Sequence, residues 1–146
     1  MNVPQLYEAY YENRTPNLRP DEFQYLLAIT PALLIAKADG EIQEAEQQFL
    51  DRAASDLAEG LADEGTETST DLTDVKNAFQ NELSHLVHHL EHWEQPFLNC
   101  LKEFLPLAVG MDGLIKDMMN ETAQAHPSPE HLEQKKMAEI CQILGI

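Results

Sequence analysis

The stretch from Phe23 to Ala36 carries Phe23, Leu26, Leu27, Ile29, Leu33, Leu34 and Ile35, and these side chains fall almost all the way round a helix. A helix without a polar face has to be covered on all sides, so the segment predicts the central element of a helical bundle. Its strongly apolar run, Leu26 to Ala36, is too short to span a bilayer, which takes about 20 residues. Pro20, Asp21 and Glu22 form a helix start, with proline and acids in the first turn. Pro31 removes one backbone hydrogen bond inside the segment and predicts a kink or a break. The helix is expected to stop at Asp39-Gly40.

The rest of the chain supplies helices to cover it. A short N-terminal helix holds Leu6, Tyr7, Tyr10 and Tyr11, followed by a polar connector from Asn13 to Arg19. A helix from about Gln43 to Ala58 has Ala45, Phe49, Ala53 and Leu57 at helical spacing. A longer one, from about Leu72 to Trp93, has the stripe Leu72, Val75, Phe79, Leu83, Leu86, Leu90 and Trp93. Pro96 and Pro106 are expected to cut the next region into short pieces, with Phe97, Leu98, Leu101, Phe104 and Leu105 as its core face. A helix around Leu114 to Ala125 uses Leu114, Ile115, Met118 and Met119. The last helix opens at Ser128-Pro129-Glu130, packs Leu132, Met137, Ile140, Cys141 and Leu144 inward, and stops at Gly145.

No β-branched alternation is long enough to read as a strand. The expectation is an all-α, compact bundle of about six to seven helices in one domain, residues 1–146. Residues 1–19 read as an N-terminal extension. Residues 59–70, rich in Gly, Thr and acids, read as a flexible surface loop.

The 26 acidic against 9 basic residues give a formal net charge of −17. Such a chain repels phosphate backbones and anionic membrane surfaces, so the expectation is no nucleic acid and no membrane insertion. Cations and basic protein segments are its natural partners, and solubility alone is the plainer account of the same charge. Cys100 and Cys141 lack metal-ligand spacing and sit in apolar helical patterns, which predicts buried, reduced thiols. Met1-Asn2-Val3-Pro4 does not read as a signal peptide, and the expected location is cytoplasmic.

Two clusters invite chemistry. In the first, Asp39, Glu41, Glu44 and Glu46 crowd around the turn at Gly40. Carboxylates arriving from two chain directions can chelate a hard cation such as calcium or magnesium. Acids at a helix N-terminus are also favourable by themselves, by about 0.3–1 kcal/mol each. Spacing leaves both readings open, although the Asp-x-Asp-x-Asp-Gly order of an EF-hand is absent.

The second cluster is His85, His88, His89 and His92, at i, i+3, i+4 and i+7 on one face about 120° from the Leu/Trp stripe. Imidazoles one turn apart can bind zinc, copper or nickel; they can equally form a solvated face that charges below about pH 6.5. Glu82-x-x-His85 has the spacing found in di-iron bundles, but a second Glu-x-x-His is missing, which argues against an oxidase. The sequence also lacks a Gly-rich phosphate loop, Gly-x-Ser-x-Gly and His-Glu-x-x-His, so the expectation is a non-enzyme.

Ala38, Asp39, Gly40, Ile42 and Glu46, set between an apolar helix and an amphipathic one, resemble the Ala-Asp-Gly-x-apolar-x-x-x-Glu pattern of the TerB-like family, the tellurite-resistance protein TerB and its relatives. The C-terminal helix pair resembles a second copy: Ala125 and Glu133 keep the Ala-to-Glu separation, and Leu144-Gly145-Ile146 closes it in the family's style. His126 and Pro127 replace the second Asp-Gly. The resemblance implies two related helical halves and a divalent-metal site formed by Asp39, Glu46 and Glu133, with Glu41 as a local addition. It also implies a non-enzymatic role in protein complexes of stress or tellurite resistance. Two alternatives stand beside it: a transition-metal protein using the His85/His88/His89/His92 face, and a metal-free acidic adaptor for basic partners.

Overall fold

The computed structural model describes residues 2–38, 72–125 and 132–146, together with Glu44, Gln47, Gln48, 51–53, Ser55, Asp56 and Glu59. The fold is an all-α bundle, and the described residues contain no strand. Its helices are α1 (Val3–Tyr10), α2 (Pro20–Ala36), α3 (Leu72–His88), α4 (Leu90–Phe104), α5 (Met111–Ala125) and α6 (Leu132–Leu144), with a 3-10 turn at Leu105–Leu107. The described residues between 44 and 59 are also helical. The acidic loop read from sequence lies, apart from Glu59, outside the described residues.

α2 is the axis of the bundle and packs against each of α1, α3, α4, α5 and α6. Its large apolar side chains from Phe23 to Ile35 are at most 3 % exposed, on every side of the helix. The helix continues through Pro31, so of the kink or break expected there the break does not occur. A proline inside a helix costs about 3 kcal/mol, but burying each large apolar side chain returns about 1.5–3 kcal/mol, and this helix buries seven of them. The start is secured by Glu22, whose Oε1 accepts from the Arg19 amide at 2.7 Å.

The same balance corrects the expectation for Pro96. Helix α4 continues through it from Leu90 to Phe104, because Phe97, Leu98, Cys100 and Leu101 bury against the core just beyond. Pro106 falls in the 3-10 turn. The break occurs instead at His89 (φ −122°, ψ 21°), inside what reads as one helix from Leu72 to Trp93. The break frees the Val87 carbonyl from its helical partner, and the Lys37 ammonium donates to that carbonyl at 3.1 Å. The stripe itself is buried as read, through Phe79, Leu83, Leu86 and Leu90, with Trp93 half-buried.

Residues 3–18, an extension in sequence, are part of the core. An Asn2–Gln5 capping box starts α1, with both bonds at 3.0 Å. Leu6, Tyr10, Tyr11 and Leu18 are buried in the core, and α1 packs on α2 and α4. In α5, Ile115, Met118 and Met119 face inward, but Leu114 is exposed. Gly145, at φ 74°, ends α6 in the left-handed conformation, and the Gly145 and Ile146 amides both donate to the Cys141 carbonyl. Cys100 is buried, Cys141 is half-buried, and both are free thiols.

Candidate functional site

α2 ends in a turn at Lys37 and Ala38, immediately before the acidic corner. Asp39, Glu41 and Glu46 lie outside the described residues. What the fold positions is the ground around them. Leu34, Lys37 and Ala38 at the end of α2 face Leu132, Lys135 and Lys136 at the start of α6 across a cleft of about 480 Å³. Ala38 and Leu132 thus line one cleft, and each directly precedes a candidate ligand in sequence: Asp39 after Ala38, Glu133 after Leu132; Glu133 itself is buried beneath and is not among the residues that line the cleft.

Glu133 stands in the first turn of α6 and is fully buried. The helix N-terminus favours its charge there. Burial of a carboxylate costs several kcal/mol unless its surroundings compensate it. Glu94 and Glu91, from α4, and Glu139 from α6 also line the cleft. Lys136 bridges to Glu94 at 2.7 Å and reaches Glu139 at 3.7 Å, tying α6 to α4.

The histidine face is divided by the break at His89. His85 and His88 belong to α3, His92 to α4, and His89 is the turn between them. The His85 and His89 rings remain neighbours, with centroids 4.5 Å apart, whereas His92 packs edge-on against Trp93 at 4.7 Å. His88 Nδ1 lies 2.7 Å from the Ser84 carbonyl. Burial lowers the pKa of His85, and the positive charges of Arg14 and His89 lower it further. Among the described residues, no group of three or more His, Cys, Asp or Glu is placed to hold a metal ion.

Sequence reasoning missed a second polar centre. Glu82, singled out above for its di-iron spacing, is fully buried and held by the polar connector. Arg14 donates to both its oxygens, at 2.7 and 3.2 Å, and Asn17 donates at 3.1 Å. This carboxylate is engaged with a guanidinium rather than turned toward a metal. Arg14 also lies over the Tyr10 and Tyr11 rings, 5.2 and 5.1 Å from their centroids. Tyr10 touches Tyr11, Phe23, His85, Trp93 and Phe97, so the pair closes an aromatic cluster joining α1, α2, α3 and α4. Burial raises the pKa of both Tyr10 and Tyr11, and the Glu82 charge raises each further. Arg14 and Asn17 sit in a connector without periodicity, and a partner 68 residues away leaves no local signal.

No family model, curated protein or solved structure matches the chain.

Proposed function

We propose that this chain is a non-enzymatic, cytoplasmic, TerB-like helical module. It binds one divalent cation, calcium, magnesium or zinc, through Asp39, Glu46 and Glu133, with Glu41 contributing locally. It acts in protein complexes of a stress or tellurite-resistance type. The observation that carries this reading is the shared cleft: Ala38 and Leu132, which precede Asp39 and Glu133, line the same space, and Glu133 is a fully buried carboxylate. Oxygen donors of this kind suit a hard cation. The residues, and no reaction chemistry, define the role: they hold a charge between the two helical halves and stiffen the join.

The test is thermal melting with each cation and after chelation. Calcium, magnesium or zinc at a hundredfold excess over its Kd should raise stability by about 2.7 kcal/mol. Asp39→Ala/Glu46→Ala should abolish the rise. Melting curves indifferent to all three cations would end the metal reading.

A second reading has one observation in its favour. The 4.5 Å separation of the His85 and His89 rings suits two imidazoles on one transition-metal ion. It predicts nickel, copper or zinc in the purified protein by elemental analysis, lost in His85→Ala/His89→Ala.

A further inference from the structure

In α5, Leu114, Asp117, Met118 and Glu121 stand at i, i+3, i+4 and i+7 and so share one face. That face borders a groove of about 510 Å³, whose other wall carries Arg52, Ala53 and Asp56 from the helical residues between 44 and 59. Leu114, which periodicity placed in the core, is 38 % exposed, while Met118 and Ala53 pack with the core. The groove thus has an apolar stripe, and each wall adds exposed acidic residues to it: Asp56 on one side, Asp117 and Glu121 on the other. Among these lining residues Arg52 is the single cation.

The lining itself selects the occupant. Three carboxylates against one guanidinium attract a basic group at contact range, well inside the Debye length of about 8 Å. Asp117 and Glu121 are one turn apart and repel each other along the helix, and a cation beside them relieves that repulsion. The chain's own residues 60–71 hold four acids and no base, so the same rim opposes that segment as occupant, as it opposes a second copy with 26 acids against 9 bases. A lone small cation would leave the Leu114 stripe bare. We infer that this groove is the docking site for a basic amphipathic helix of a partner protein, which seats apolar side chains on Leu114, Met118 and Ala53 and sets its cations against Asp56, Asp117 and Glu121. This is the helix-in-groove mode, in which apolar side chains at i, i+3, i+4 and i+7 fix the register. The inference rests on the proposed role in protein complexes and is independent of the metal site.

The probe is a fluorescent helical peptide of leucine and lysine only, with its leucines on one face. A peptide of identical composition with the leucines scattered round the helix is the control. Binding is read by anisotropy at about 0.15 M salt with a chelator present, so distant charges are screened and no cation site takes part. The expected result is preference for the one-faced peptide. Asp117→Asn/Glu121→Gln should weaken its binding at least about threefold, whereas Glu8→Gln/Glu12→Gln, which removes the same charge from exposed residues outside the groove, should leave it within about twofold. Leu114→Asp adds a negative charge and should still weaken binding at least about tenfold. Melting curves check that each variant folds, and amide shifts in the unaltered protein, which need no variant, should cluster at Ala53, Leu114 and Met118. Equal binding of the two peptides, absence of binding, equal losses in the two charge pairs, an unchanged Leu114→Asp, shifts centred elsewhere, or a dimer that Leu114→Asp dissociates would each overturn it. Calcium, magnesium and zinc titrations of Leu114→Asp should match those of the unaltered chain, which keeps failure here separate from failure of the metal reading.

Discussion

Replacing Arg14 by methionine tests the buried polar centre and, with it, the placement of the N-terminal segment. Glu82 is fully buried, whereas the Arg14 side chain is 27 % exposed. Removing the cation leaves an uncompensated carboxylate inside the protein. A fully buried pair broken in this way costs about 3–5 kcal/mol, and the partial exposure of Arg14 brings the expectation to about 2–4 kcal/mol. With an unfolding entropy of about 2.1 cal/mol/K per residue, that lowers Tm by about 6–13 °C for a chain of this length. The assay is urea unfolding followed by circular dichroism in a double-mutant cycle with Glu82→Leu. The double variant Arg14→Met/Glu82→Leu removes both charges and should be more stable than Arg14→Met alone. Strictly additive single-variant effects, or an Arg14→Met loss below about 0.5 kcal/mol, would refute the argument, because that is how an exposed, unpaired arginine behaves.

Other expectations follow from the same packing. Leu33→Ala, in the middle of α2 and fully buried, should cost about 2–5 kcal/mol by urea unfolding. Tyr10 and Tyr11 have raised pKa values in the folded state, so the folded protein holds these protons more tightly than the unfolded chain. Stability is therefore full below about pH 10 and falls as pH rises beyond it; tyrosinate absorbance from these two residues should appear only with unfolding. Gly110→Ala should cost about 1–2 kcal/mol through the backbone alone, since open space surrounds the added methyl group while φ is 86°.

Periodicity made the central helix and most of its cover legible. The all-round apolar α2 and the Phe79, Leu83, Leu86, Leu90 stripe are local patterns, and burial follows them. Pro96 misled because its cost is local while the compensating burial is tertiary: it is carried, as Pro31 is, inside a helix whose neighbours bury around it. The break at His89 has no proline or glycine to announce it, and its capping lysine, Lys37, comes from the turn after α2. Leu114 shows the reverse failure, an apolar residue in a helical pattern that ends up outside. Of the acidic candidate set, Glu133 gains a definite place, buried at the start of α6, while Asp39, Glu41 and Glu46 fall outside the described residues. The Arg14–Glu82 pair was illegible because charge pairing between a connector and a distant helix has no spacing rule.

The central claim is a divalent cation held between the two ends that meet at the cleft. Isothermal titration of the metal-free protein with calcium, magnesium and zinc tests it most directly. The account predicts one site per chain for at least one of these ions, with the heat lost in Asp39→Ala/Glu46→Ala and weakened in Glu133→Gln. No heat from any of the three, or heat that survives all these substitutions, would contradict it.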